Sequence, residues 1–146
     1  MIKQAQIYDA KIAAELALLL WPNNRLEDFI LEMERFITSE TSVISLAVDA
    51  DQAMGFAQCQ LRTDYVEGTD SSPVGYLEGL FVLDDYRHQG IAHKLVKACE
   101  KWAIFKGCSE FASDCELDNS DSLAMHLKLG FTEANRIICF TKKLGE

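Results

Sequence analysis

Asp84-Asp85-Tyr86-Arg87-His88-Gln89-Gly90-Ile91-Ala92-His93-Lys94 decides how this chain is read. Behind it, residues 73–83 form an extended segment in which Val74, Tyr76, Glu78, Leu80 and Val82 share one face and Gly75, Leu77, Gly79, Phe81 and Leu83 the other. Ahead of it, Ile91, Leu95, Ala98, Trp102 and Phe105 step by four, three, four and three, the period of an amphipathic helix that Gly107 ends. A long strand therefore feeds a strong helix through a turn carrying arginine and glycine. Helix starts present unpaired N–H groups and the positive end of a dipole, which suits an anion. Gly90 and Ala92 leave the backbone approachable, and Arg87 adds charge and a fork of donors, so the turn suits a pyrophosphate. Alternatively it is a plain helix start with a loop arginine. No Gly-Lys-Ser/Thr follows and G-x-G-x-x-G is missing, which excludes a Walker loop and a dinucleotide fingerprint.

Working outward, residues 2–6 read as a first strand, and Ile12, Leu16, Leu19 and Leu20 recur at helical spacing up to Trp21-Pro22. Leu26, Phe29, Ile30, Met33 and Ile37 make the apolar stripe of a second helix. The period then drops to two in 43–49 and 53–62, a hairpin, and 64–72 is a polar loop. Residues 110–116 read as a short strand, Asn119 or Ser120 caps a helix reaching Leu129 with Gly130 as its stop, and 132–143 reads as a final strand. The order β-α-α-β-β-β-α-β-α-β specifies an α/β, α+β layered fold with a mixed central sheet, and 1–146 reads as one domain.

The 146 residues carry 23 acidic against 14 basic side chains, a formal charge of −9, with 49% hydrophobic and 25% charged residues. That surplus repels a phosphate backbone, so nucleic acid is excluded as a partner, and no apolar run approaches a membrane span. The N-terminus has no leader pattern, and a cytoplasmic protein is expected. Cys59, Cys99, Cys108, Cys115 and Cys139 contain no C-x-x-C pair and read as small core residues; no metal is expected.

Forty residues beyond the arginine turn, Met125-His126-Leu127-Lys128-Leu129-Gly130-Phe131 runs from a helix end into an extended segment. Together with Arg87-x-x-Gly90-x-Ala92 it resembles the GNAT superfamily of acetyl-CoA-dependent N-acetyltransferases, whose strand before this turn splays from its neighbour. The resemblance implies that backbone groups of Leu80, Phe81 and Val82 bind the pantetheine of acetyl-CoA as an added strand does. It implies as well that amides from His88, Gln89, Gly90, Ile91 and Ala92, with Arg87, hold the pyrophosphate. His126 stands where many members carry the tyrosine that protonates the leaving thiolate; it is a candidate general acid, or a structural histidine at a helix end.

Acetyl transfer needs an unprotonated amine, so the site must bind a cation and then take its proton. Glu78 in mid-strand and Asp114 at a strand end suit both tasks; otherwise they are a solvated edge residue and a turn residue. Trp21 and Tyr65 are core fillers or the flat wall of a sugar site, and Asp64, Glu67 and Asp70 crowd the loop around Tyr65. Cys115 lacks a paired base, so no covalent enzyme intermediate is expected.

Leu20-Trp21-Pro22, the run from Arg62 through Thr69 and on from Ser71 to Gly79, Glu110-Phe111-Ala112-Ser113-Asp114, and Asn119 with His126 and Gly130-Phe131 resemble a narrower group. That group is the aminoglycoside 6'-N-acetyltransferases of antibiotic resistance. The resemblance implies direct transfer in a ternary complex, with Trp21, Tyr65, Glu78 and Asp114 lining the aminoglycoside site and Asn24 and Asn135 as further contacts. It places Asn119 against acetyl-CoA and implies a homodimer whose last strand meets the partner subunit. The rivals are an acetyltransferase of polyamines or protein amino groups and a non-catalytic acetyl-CoA-binding module.

Overall fold

Alternating apolar residues build a five-stranded sheet whose spatial order is the chain order: β1 (Ile2–Gln4), β2 (Ser42–Asp49), β3 (Gln52–Arg62), β4 (Val74–Val82) and β5 (Phe111–Ser113). The first four run antiparallel and β5 joins β4 in parallel, so the sheet is mixed. The computed structural model describes residues 1–145 and divides into two compact units, Met1–Asp114 and Cys115–Glu146.

In the first unit, α1 (Ala10–Leu20) and α2 (Leu26–Thr38) cover one face of the sheet, where Ala13, Ala14, Leu16, Ala17, Phe29 and Met33 pack on Ile44, Leu46 and Phe56. Acidic Glu27 and Asp28 in the first turn of α2 and Arg35 in its last turn both suit the helix dipole. α3 (Ile91–Phe105) buries Ile91, Leu95, Val96, Cys99 and Ala103 and packs on β2, β3 and β4. The Ser45 hydroxyl lies 3.9 Å from the Cys99 sulfur, which puts α3 on the face opposite Ile44 and Leu46. Cys59, Cys99 and Cys108 are buried as expected of small core residues. Cys115 and Cys139, expected in the core, are exposed; both lie outside the strands and helices. A hydrogen bond with the Cys99 thiol and burial push the Cys59 thiol far above its ordinary range, so it stays a protonated packing group.

The expected simple alternation along β4 does not hold. Gln58 pairs with Gly79 and Cys59 with Leu77, so Glu78 is the extra residue of a β-bulge. Before it, the α3 face receives Gly75, where an added Cβ would meet Ala103. After it the faces exchange: Phe81 packs into the α1–α2 core, and an added Cβ at Gly79 would meet Trp21. Glu78 and Gly79 thus both look toward α1 and α2. β5 pairs only with Gly75, Tyr76 and Leu77, so from Glu78 onward that edge of β4 runs without a paired strand among the described residues.

In the second unit, α4 (Ser120–Lys128) starts at Asn119, whose side-chain carbonyl accepts from the Ser122 N–H at 3.1 Å, and Gly130 closes it at φ 95°. The expected final strand over 132–143 is not formed. A strand exists only as one side of a hydrogen-bonded ladder, and none of the described strands pairs with this segment. Ile137, Ile138, Phe140 and Leu144 are exposed along it. No described helix is long and apolar enough to cross a membrane.

Candidate active site

The bulge places Glu78 on the floor of a cavity of about 460 Å³ lined by Trp21, Asn24, Phe29, Glu32, Phe36, Gln58, Gln60 and Glu78. That volume suits a small molecule. Trp21 follows the last turn of α1, and its indole stands edge-on to Phe29 and Phe56 at 6.0 and 6.3 Å between ring centres. The Asn24 amide donates to the Trp21 carbonyl at 3.0 Å, pinning the turn between α1 and α2. Three of the expected substrate residues, Trp21, Asn24 and Glu78, are therefore brought together.

Glu78 is not a free carboxylate. Arg62 donates to it from Nη2 at 2.9 and 3.0 Å and from Nε at 3.1 Å, and Gln60 donates at 2.6 Å. The Arg62 guanidinium also lies 3.4 Å from the centre of the Tyr76 ring. The Tyr76 hydroxyl donates a short hydrogen bond to Asp114, so one chain of contacts runs Glu78, Arg62, Tyr76, Asp114. Burial, reinforced by the bond to Asp114, pushes the Tyr76 phenol well above its ordinary range and keeps it a proton donor. Asp114 itself is exposed.

Tyr65 is not among the cavity residues: it is 77% exposed, and its hydroxyl donates to Glu67 at 3.4 Å. Its loop is tethered at the far end, where Glu110 accepts from the Asp70 N–H at 2.9 Å and from the Ser71 hydroxyl at 2.5 Å. Those bonds, the Ser71 hydroxyl first, hold the Glu110 carboxyl below its usual value.

In the turn before α3, His88 (φ 63°) and Gly90 (φ 79°) are left-handed. His88 carries the Cβ penalty of that conformation, and an added Cβ at Gly90 would touch nothing, so glycine serves the backbone there rather than packing. Gly90 gives α3 no side-chain cap, which leaves its first amides, from Ile91 and Ala92 on, to other acceptors. Arg87 is anchored, donating from Nε to the Val82 carbonyl at 2.9 Å and pairing with Asp84 at 2.9 Å. Leu80 and Phe81 are half-buried and Val82 buried on the unpaired stretch of β4, and Gln89 is exposed.

In the second unit, His126 Nδ1 donates to the Ser122 carbonyl at 2.7 Å, and its ring is edge-on to Phe131 at 5.1 Å. Asn119 is occupied as a helix cap, and the Asn135 side-chain Oδ1 accepts from the Arg136 N–H at 2.8 Å.

Sequence reasoning missed Glu32, Phe36, Gln58, Gln60, Arg62 and Tyr76. A signal for three of them was present: Gln58, Gln60 and Arg62 are polar at every second position of one strand, which marks a single face.

Residues 11–131 match the model of the acetyltransferase (GNAT) family. The chain belongs to this family. Among its GNAT relatives, the aminoglycoside N(6')-acetyltransferase type 1 of Acinetobacter baumannii is 46% identical over 143 residues, spanning 95% of this chain and 97% of that protein. The enzyme of the same name from Acinetobacter genomosp. 13 is 47% identical over 128 residues, 87% of each chain. Among solved GNAT structures, AAC(6')-Iy in complex with the bisubstrate analogue CoA-S-monomethyl-acetylneamine superimposes with a TM-score of 0.94 at 35% identity, covering 99% of this chain and 98% of that one.

Proposed function

We propose that this GNAT protein transfers the acetyl group of acetyl-CoA to the 6'-amine of aminoglycosides, and so confers resistance to them. The observation that carries this reading is the cavity in which Trp21 and Asn24 face Glu78, where the unpaired stretch of β4 begins. The relatives named for aminoglycoside acetylation support the substrate.

Acetyl-CoA supplies an activated acyl group and a thiolate leaving group. The residues present fit it: Leu80, Phe81 and Val82 offer backbone donors and acceptors on an open strand edge, and His88, Gln89, Gly90, Ile91 and Ala92 offer amides at a helix start that has no side-chain cap. Arg87, fixed to Val82 and Asp84, holds the strand end to that turn and adds positive charge.

Trp21 and Asn24 seat the sugar, and Glu78 draws the ammonium. Both Glu78 oxygens are engaged by Arg62 and Gln60, so its part is to hold the cation in place. Asp114, which accepts one hydroxyl bond and is otherwise exposed, takes the ammonium proton and leaves a neutral amine for direct attack. His126, when doubly protonated, gives its Nε2 proton to the thiolate while Nδ1 stays bonded to the Ser122 carbonyl, and is reprotonated from solvent. Tyr65, Asn119 and Asn135 complete the substrate and cofactor contacts. Residues 1–146 act as one acetyltransferase domain in the cytoplasm, and nucleic acid and membrane are not partners. The exposed Ile137, Ile138 and Phe140 on a segment without a ladder support a homodimer in which that segment finds its partner strand.

Incubating the purified protein with acetyl-CoA, kanamycin or tobramycin and a thiol reagent tests the reading. Coenzyme A is released with either drug and is not released with analogues carrying hydroxyl in place of the 6'-amine. An inert protein refutes it.

A further inference from the structure

Gln58 sits on β3 across the ladder from Gly79, is 4% exposed, and its side-chain carbonyl accepts no hydrogen bond. It is the buried side-chain polar atom without a partner among the described residues, and the residue that carries it lines the cavity floor. A buried carbonyl left unpaired is a standing cost of folding, removed when a donor arrives. On α2, Glu32 lines the same cavity, half-buried and without an ion pair among the described residues. Glu78 by contrast is already neutralised by Arg62. The cavity's uncompensated charge and its uncompensated acceptor therefore both belong to residues other than the carboxylate that draws the reacting ammonium.

We propose that Gln58 and Glu32 form a second recognition point that takes an ammonium or hydroxyl donor on the substrate other than the amine being acetylated. This rests on the aminoglycoside reading and deepens it: the pair makes the cavity select polyamino sugars over monoamines of similar size. A substrate without the second donor leaves the Gln58 carbonyl unsatisfied and Glu32 without a counter-charge, and it binds weakly even when its reacting amine is correctly placed.

Steady-state kinetics with kanamycin and acetyl-CoA on the wild-type protein, Gln58→Met and Glu32→Gln test the proposal, with a thermal melt of each. In Gln58→Met the KM for kanamycin rises about tenfold and in Glu32→Gln about fivefold, while kcat and the KM for acetyl-CoA stay within twofold. The Tm of Gln58→Met equals or exceeds that of the wild type, because the orphaned carbonyl is gone. A kanamycin KM unchanged in both variants overturns the proposal, as does a Gln58→Met protein with a lowered Tm and raised KM for both substrates, which marks a structural glutamine. Glu32→Gln, on a partly exposed helix face, keeps the question answerable should Gln58→Met fold poorly. A wild-type protein that turns over no kanamycin fails earlier, at the aminoglycoside reading, and takes this inference with it.

Discussion

A single methyl group at position 79 separates the role of Trp21 in binding from its role in packing. An ideal Cβ on Gly79 falls 2.5 Å from Trp21 Cη2 and 3.2 Å from Cζ2. Carbon atoms rest at about 3.5–4.0 Å, so the indole must retreat by about 1 Å. Trp21 is edge-on to both Phe29 and Phe56, and such ring pairs are worth about 0.5–1.5 kcal/mol each. Weakening both costs about 1–3 kcal/mol, in line with overpacking of a core, and lowers the Tm by about 3–10 °C for a chain of this size. The consequence for function is larger, because Trp21 lines the cavity and its displacement alters the wall against which a sugar lies. Gly79→Ala is expected to raise the KM for kanamycin at least tenfold, by thiol-release kinetics, with acetyl-CoA affinity unchanged by calorimetry. Gly75→Ala is the control: its Cβ would lie 2.7 Å from both Ala103 Cβ and Phe111 Cδ1, and the Ala103 Cβ, fixed to the α3 backbone, cannot swing aside. It is expected to lose more stability yet keep the wild-type KM for kanamycin in whatever fraction stays folded. Equal kanamycin KM in Gly79→Ala and wild type, despite the lowered Tm, refutes the assignment of Trp21 as a binding wall.

Arg62→Met leaves Glu78 half-buried without its cation; because Arg62 is 40% exposed, the loss is discounted to about 1–2 kcal/mol, a Tm drop of about 3–8 °C. The same variant makes the cavity more negative, so the KM for kanamycin is expected to fall severalfold, and a rise would show that Arg62 itself holds substrate. Tyr76→Phe removes the hydroxyl that orients Asp114, and kcat is expected to fall about tenfold or more with little change in KM. The Tyr76 phenol titrates above its ordinary value of 10.0 in the folded protein, so its contribution to stability is complete below that pH and lost as pH climbs further. Melts of wild type and Tyr76→Phe should therefore converge as pH rises past about 10 and stay apart at pH 7–9. Arg87→Ala frees the Val82 carbonyl and Asp84 and is expected to raise the KM for acetyl-CoA about tenfold while that for kanamycin holds; a defect confined to the drug would mean the turn serves the wrong substrate.

Periodicity revealed most of the fold, because α1, α2 and α3 each bury one face and write it into the spacing of their apolar residues, while β2, β3 and β4 alternate between a face under α1 and α2 and a face under α3. The segment over 132–143 has the same spacing, but a ladder needs a second strand, and one strand's pattern does not contain its partner. The bulge was hidden for a related reason: residues 74–83 are apolar or glycine on both faces apart from Glu78, so an exchange of faces leaves almost no trace in composition. In the candidate site, Trp21 and Glu78 were legible as an aromatic at an element end and a charge in mid-strand, while Asn24 came only from the resemblance. The Arg62–Tyr76 stack and the Tyr76–Asp114 bond were not, since they join residues 14 and 38 positions apart whose pairing depends on register. The GNAT resemblance carried the acetyl-CoA assignment that residue spacing by itself left open.

The extra residue in β4 makes the frame of that strand odd on one side and even on the other. Excising Glu78 would restore a regular pleat and leave Phe81 and Leu83 in the helical layer they now fill, whereas forcing a regular pleat with every residue kept would rotate both out and send Leu80 and Val82 in after them. Swapped segments, engineered chimaeras or ungapped alignments that cross this point without honouring the offset will invert inside and outside for the whole C-terminal half of the strand.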